Sequence, residues 1–406
     1  MNKWQIAGVK YVSTATTLIA LLCCVNARAN PAYDPAKPHH TPTGFQNNDA
    51  KAVNKSFADF LRWQWESHGL PKPPSQPVPA VAPNLALING SHILVRFDPS
   101  LPTQANTPSQ PTLPTFPTVT WIGHATTLVQ ANGLNVLTDP IFSDRASPVQ
   151  LFGPQRAQPP GVALVDLPPI DVVLISHNHY DHLDRTSVAI LDDHAKNSGH
   201  PTLFIVPLGL KSWFANLGIT HVVELDWWQH HTVKGVEFHL TPVQHWSARG
   251  LNDRSATLWG GWAVLGADFH WYYAGDTGYS RDFADTAKHF AERQSAASGG
   301  GFDLALLPIG GYAPRWFMSM QHVNPMESLR IHQDIGAKRS LGIHWGTFAL
   351  TDEPLDQPPA DLAMARQALG LPESSFGVLA IGESLQLPKR PPSISHVKQS
   401  QRDNSR

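Results

Sequence analysis

The period of apolar and polar positions changes repeatedly along this chain. Thr118-Val119-Thr120-Trp121-Ile122, Thr126-Thr127-Leu128-Val129 and Leu134-Asn135-Val136-Leu137-Thr138 predict short strands, and Asn132-Gly133 is a hairpin signal. Further strands are expected near 171–176, 202–206, 221–225, 236–241, 262–265, 270–274, 303–307, 339–343 and 377–381. Helical spacing appears near 184–196, 208–217, 282–294, 324–336 and 358–369. Asn324-Pro325 opens one helix with a capping residue and Pro in the first turn. The mix predicts an α/β (α+β) chain whose sheets are covered by helices on the outside. No internal repeat stands out.

The globular pattern begins at Thr118, and what precedes it differs in kind. Lys3 and Lys10 precede the apolar run Leu18–Val25, and Ala27-Arg28-Ala29 follows, so residues 1–29 read as a signal peptide cleaved after Ala29. A lipoprotein signal fits less well, because Leu22 before Cys23 is bulky; an uncleaved anchor is a third option. The predicted destination is the periplasm or envelope. Residues 30–117 form an N-terminal helix and Pro-rich connector. Within it, 30 to about 50 are expected to be mobile, Phe57–Trp65 reads as a short amphipathic helix, and Pro71–Pro117 holds twelve of the 36 prolines. Residues 118–388 are the expected catalytic domain, and 389–406 a polar, disordered tail.

Composition narrows the chemistry. With 406 residues the chain can bury a large core, and a net charge of -2 argues against nucleic acid as a partner. Cys23 and Cys24 are the two cysteines, so cleavage after Ala29 leaves none. Every metal ligand is then His, Asp, Glu or backbone.

Candidate ligands are concentrated in His177-Asn178-His179-Tyr180-Asp181-His182, at the end of the apolar run Asp171–Ser176. Imidazoles and carboxylates suit a borderline metal such as zinc, and loops after strands are where α/β sheets build sites. His245, Asp276 and His344 each follow a further apolar strand. Each alone is equally a hydrogen-bonded residue or a turn. Together they give seven candidates, too many for one four-coordinate zinc and enough for two ions with Asp276 bridging. Asp139 is either a partner orienting a ligand His or a turn residue before Pro140.

The H-x-H-x-D-H signature, the later His, the Gly-Asp after a strand and the final His resemble the metallo-β-lactamase superfamily. Longer strings resemble its N-acyl-phosphatidylethanolamine-hydrolysing phospholipase D branch, over about residues 118–385. They include Trp121-Ile122-Gly123-His124-Ala125-Thr126, Leu137–Ser143, Arg145-Ala146-Ser147-Pro148, Leu225-Asp226-Trp227-Trp228, Ala274–Tyr279, Pro314–Met318, Gln321-His322-Val323 and Ile343–Leu350. The resemblance implies a four-layer αββα sandwich. His177, His179 and His245 would hold one Zn2+; Asp181, His182 and His344 a second; Asp276 would bridge. Iron or manganese are alternative metals, and a redox di-iron role is a minor option.

The implied reaction is hydrolysis of a phospholipid phosphodiester by metal-activated hydroxide, releasing phosphatidic acid and N-acylethanolamine. Asp181, Asp276 and His322 are the candidate catalytic residues, and Gln321, His322 and Tyr180 the candidate substrate contacts. His322 is otherwise a helix-entry residue, and Tyr180 packs under the loop if it does not face the pocket. Trp227 and Trp228 read as core packing. Phe142–Pro160 is long enough to be a lid, in which Arg145 or Arg156 attracts phosphate. Phe57, Phe60, Leu61 and Trp65 supply a peripheral membrane contact, unless that helix docks on the core. The resembled family also implies a homodimer. The competing readings are a zinc hydrolase of a lactone or β-lactam, and a non-catalytic lipid- or metal-binding protein.

Overall fold

A computed structural model describes residues 29–49, 55–69, 76–90, 116–250 and 252–390. The expected signal peptide as far as residue 28, and the expected tail beyond 390, lie outside the described residues.

A small hairpin, β1 (His40–Thr41) and β2 (Gly44–Phe45), precedes the main architecture. One seven-stranded sheet contains β3 (Thr118–Gly123), β4 (Thr126–Ala131), β5 (Leu134–Thr138), β6 (Val172–Leu174), β7 (Leu203–Pro207) and β8 (Val222–Leu225). The second contains β9 (His230–Val233), β10 (Val236–Thr241), β11 (Gly261–Leu265), β12 (His270–Tyr273), β13 (Leu304–Pro308), β14 (Ser340–Ile343) and β15 (Phe376–Gly377). The chain then returns, and β16 (Ser384–Gln386) adds to the edge of the first sheet beside β3. Both sheets share one pattern: four antiparallel strands (β16-β3-β4-β5 and β9-β10-β11-β12) followed by three added in parallel. Structure thus displays a duplication that the residue pattern does not.

Period-two alternation explains the layers. Val119, Trp121, Val129, Val136, Val172, Leu174 and Ile205 join the core shared with Phe238, Leu240, Trp262, Val264 and Trp271 of the second sheet. Their neighbours Leu128, Leu137, Val173, Phe204 and Val206 point the other way, onto Val188 and Leu191 of the helix Arg185–Ser198. On the far side, Leu329 and Ile331 of helix Pro325–Asp334 and Leu362 of helix Gln357–Leu369 cover the second sheet. Each fully buried aliphatic contributes about 2 kcal/mol, so strands apolar on both faces are held only inside such a stack. The result is the αββα sandwich that the resemblance implies.

Several expectations change. Residues 29–49 are not a loose leader: Asn30, His39, His40, Gly44 and Phe45 are buried against the domain. The Pro-rich stretch also packs where it is described, with Val81 N–H donating to Ile381 O and Ile381 N–H to Pro79 O. That contact takes up the end of the strand expected at 377–381, of which only Gly377, with Phe376 before it, pairs with β14. Arg390, expected in the tail, is buried and bonds Asp303 at 3.0 Å. The helix Phe57–Gly69 docks through Trp63, which stacks on Phe317 at 4.9 Å and donates to Asp352. No helix among the described residues is long and apolar enough to cross a membrane.

Candidate metal centre

All seven predicted ligands meet at one edge of the sandwich, where strands end. His177, His179, Asp181 and His182 follow β6; His245 follows β10; Asp276 follows β12; His344 follows β14. Tight turns aim them. Gly275 (φ 61°) lets the chain turn into Asp276, and a Cβ there would lie 2.6 Å from Ser176 Cβ. His344 (φ 60°), Asp139 (φ 31°) and His124 (φ 53°) hold left-handed backbone although none is glycine. Each such residue costs about 1 kcal/mol, and strain of this kind gathers at functional sites.

The ligands form two groups. In the first, His177 Nε2 is 2.8 Å from His179 Nδ1, which is 3.3 Å from His245 Nε2. In the second, Asp181 Oδ2 lies 3.4 Å from His182 Nε2 and 3.5 Å from His344 Nε2. Asp276 stands between them: Oδ2 is 3.1 Å from His182 Nε2 and 3.9 Å from both His177 Nε2 and His245 Nε2, while Oδ1 is 3.1 Å from His344 Nε2. Ligands about 2.05 Å from a tetrahedral ion sit about 3.3 Å apart, so these spacings fit two ions. His182 Nε2, His344 Nε2 and Asp276 Oδ1 are buried without a hydrogen-bond partner among the described residues. Buried polar atoms are rarely left so, and lone pairs facing one another are what a cation relieves.

The supporting contacts fix the rings. Asp139 Oδ2 pairs with His182 Nδ1 at 2.6 Å and accepts from Tyr273 and from Ser176 Oγ, which in turn lies 2.9 Å from His177 Nδ1. Of the two roles considered for Asp139, it orients the ring of the candidate ligand His182, and its positive φ adds the turn. His245 Nδ1 donates to Gln321 O at 2.9 Å.

The field in the metal-free centre is divided. Burial pushes His179 down to about 4 and His124, His245 and His322 down to about 3, and it holds His177 well below its usual value. Burial opposes protonation of His344 and His182 too, but the Asp276 charge outweighs it. His344 rises to about 9 and His182 well above its usual range. Burial would raise the Asp276 carboxyl, yet the fields of His182 and His344 keep it well below the ordinary carboxylate value.

His124 is the site residue that the sequence reading missed. Its Nε2 lies 3.0 Å from Asp181 Oδ2, and its ring sits 4.1 Å from that of His344. The only signal was its place in the Trp121–Thr126 string. His322 reaches the centre, with Nδ1 3.9 Å from Asp276 Oδ2. Gln321 is buried, its Oε1 accepting from Trp246 Nε1. Tyr180 donates to Arg249 O, and the Arg249 guanidinium covers its ring at 4.0 Å while bonding the carbonyls of Asn178 and Leu183. Tyr180 therefore braces the ligand loop. Arg156 bonds the carbonyls of Ile141 and Ser143, and Arg145 bonds Gly153 O and Gln155, so both arginines hold the 142–160 loop in shape. Trp227 is buried in the core, as expected, and Trp228 packs against it from a half-buried position. A small open recess adjoins His124, Gly311 and His344.

Comparison with known proteins agrees with this geometry. Residues 134–345, just over half of the 406-residue chain, match the Beta-lactamase superfamily domain. An N-acyl-phosphatidylethanolamine-hydrolyzing phospholipase D 1 of Caenorhabditis elegans is 40% identical over 278 residues, covering 65% of this chain and 74% of the relative. An uncharacterised protein of Mycobacterium tuberculosis is 34% identical over 338 residues, covering 81% of this chain and 80% of that protein. The crystal structure of isothiocyanate hydrolase from Delia radicum gut bacteria matches with a TM-score of 0.51 at 19% identity, covering 67% of this chain and 99% of that one, which bears on the fold alone. The chain therefore belongs to the metallo-β-lactamase superfamily of metal-dependent hydrolases and, within it, to the N-acyl-phosphatidylethanolamine-hydrolysing phospholipase D family.

Proposed function

We propose that this protein is a dinuclear zinc phosphodiesterase that cleaves N-acyl-phosphatidylethanolamine, or a closely related phospholipid, to phosphatidic acid and an N-acylethanolamine. The observation that carries the reading is Asp276 set between two ligand groups, in a chain 40% identical to a relative named for that reaction. His177, His179 and His245 would hold one ion, and Asp181, His182 and His344 the other. When bound, two divalent cations supply Lewis-acid stabilisation of a phosphoryl oxygen and lower the pKa of water.

The chain's own residues do the rest. Asp139 and Gln321 O keep His182 and His245 in the tautomers that present Nε2 to the centre. His124 holds Asp181 Oδ2 in place. His322, kept neutral by burial, donates a ring N–H to the phosphoryl oxygen as charge grows there. Water forms the new P–O bond, the P–O bond to the ethanolamide breaks, one water proton ends on the leaving oxygen and the other stays with the phosphate. No covalent enzyme intermediate is required.

Lipid access is supported by exposed apolar side chains on two elements: Leu61 and Trp65 of the helix Phe57–Gly69, and Leu151 and Phe152 at the tip of the 142–160 loop. Trp65 is 84% and Leu151 86% exposed, more than a chain meeting only water normally leaves on neighbouring bulky residues. An exported, envelope-facing form that meets the lipid from the bilayer surface is part of the proposal. The test is the full chain stripped by chelator, reloaded with zinc, and given a panel of N-acylated phospholipids, lactones and β-lactams. Zinc-dependent N-acylethanolamine release is expected. Turnover of lactone or β-lactam with inert phospholipid would replace this reading with the other ester hydrolase.

A further inference from the structure

The segment 29–49 precedes the sandwich in sequence, yet it reaches the metal centre. Asn47 Nδ2 donates to the carbonyl of His245 at 2.8 Å, and Asn47 Oδ1 accepts from the His245 backbone N–H at 3.0 Å. The same Oδ1 accepts from Trp259 Nε1 at 3.2 Å, whose N–H also points to Val243 O. His245 lies beyond the end of β10, after Pro242, so no sheet ladder pairs its backbone. An amide side chain 198 positions upstream does so from both sides. The neighbouring contact is similar: Phe45 is buried, and its N–H donates to Ser255 O in the loop that leads away from His245.

This strap is anchored at a second place. Asp226 is buried, and its carboxylate meets Lys37 Nζ at 2.6 Å, His39 Nε2 at 2.7 Å and His40 Nε2 at 3.0 Å. The His39 ring stacks on Trp227 with centroids 4.4 Å apart. Two imidazoles and a carboxylate also suit a metal ion. Here the Lys37 ammonium already occupies the carboxylate, which makes the cluster a charge-assisted clasp. The clasp fixes one end of the strap, and Phe45 and Asn47 deliver the other to the ligand loop.

We infer that Asn47 is a positioning residue for the metal ligand His245, and that the strap 29–49 is a working part of the metal centre. Partners that orient a ligand typically change metal affinity by about 10–100-fold when removed. The inference rests on the metal-centre reading above but not on the identity of the lipid.

The test is zinc binding by chelator competition on the full chain, without substrate, at a temperature well below each variant's own unfolding midpoint. Asn47→Ala is expected to weaken one of the two zinc sites by about 10–100-fold and leave the other near the parent value. Asn47→Asp, which keeps the acceptor and loses the donor, should fall between. His39→Ala with His40→Ala, which releases the distant anchor, should weaken the same site. Parent-like affinity at both sites in Asn47→Ala, or equal loss at both, would overturn the inference, whatever happens to the unfolding temperature. A parent chain that binds no zinc at all would instead remove the metal-centre reading on which it stands.

Discussion

Asp139 Oδ2 lies 2.6 Å from His182 Nδ1, which commits the opposite nitrogen of His182 to the space shared with Asp181 and Asp276. The pair is fully buried, and Asp139 also takes the Tyr273 hydroxyl and the Ser176 N–H. Asp139→Asn keeps the shape and removes the charge, so zinc affinity should fall by about 10–100-fold with the fold retained. Asp139→Ala strands His182 and Tyr273 and should cost about 3–5 kcal/mol in urea unfolding of the metal-free chain. Metal titration and urea melts of the two variants check both figures. Parent-like zinc binding in Asp139→Asn would remove the orienting role.

Gly311 makes a sharper test of how closely the centre is packed. Its φ is +85°, and a Cβ would sit 3.2 Å from His322 Nδ1 and 3.3 Å from His344 Cε1. Gly311→Ala should cost about 1–2 kcal/mol from left-handed backbone alone. Its larger effect should be on turnover, because both rings must yield by a few tenths of an ångström. Steady-state kinetics with zinc saturating should show kcat falling more than tenfold, by the rule that small misplacements of reacting groups carry large rate effects.

The metal-free chain should be most stable near pH 6.5. His124, His179, His245 and His322 have folded pKa values of about 3 to 4, below the usual 6.5. Between those values the unfolded chain binds more protons, so stability falls as pH drops through 6.5 toward 4. His344 is shifted the other way, to about 9, and His182 also upward. Their contribution is full below 6.5 and is lost as pH rises toward 9. Metal requires both imidazoles unprotonated, so the alkaline decline should vanish in the zinc-loaded chain. Chemical denaturation at pH 5, 6.5 and 8.5, with and without zinc, reads out both limbs and the effect of zinc on the alkaline one.

Membrane contact is expected to depend on exposed side chains away from the chemistry. Trp65→Ala with Leu151→Ser should weaken binding to sedimented phospholipid vesicles by about 30-fold or more, on the order of 1–2 kcal/mol for each of the two side chains removed from an apolar phase. Turnover of a short-chain, soluble phosphodiester analogue should be unchanged. Equal loss on both substrates would place these residues in the folded core of the activity instead.

Much of this was legible in the sequence, for identifiable reasons. Val172-Val173-Leu174 and Leu203-Phe204-Ile205-Val206 are buried on both faces, so they read as continuous apolar runs. β9, whose His230 and Thr232 are exposed, and β16 are edge strands with too little apolar content to announce themselves. The ligands were legible because each ends an apolar strand. His124 was not, because a lone histidine in a Gly-His-Ala turn has no pattern of its own; it gains meaning only when Asp181 arrives from 57 positions away. The ordered strap escaped for the opposite reason. Its polar, Pro-containing composition resembles a loose leader, and its order comes from Asp226, Ser255 and His245, which no local pattern can foretell.

The most direct measurement is the fate of solvent oxygen during hydrolysis by the zinc-loaded full chain. N-acyl-phosphatidylethanolamine is turned over in water enriched in the heavy oxygen isotope, and both products are weighed by mass spectrometry. Attack at phosphorus places one solvent oxygen in the phosphate of phosphatidic acid and none in the N-acylethanolamine, which is the expected result. Label in a released fatty acid, or an untouched lipid with both metal sites filled, would contradict it.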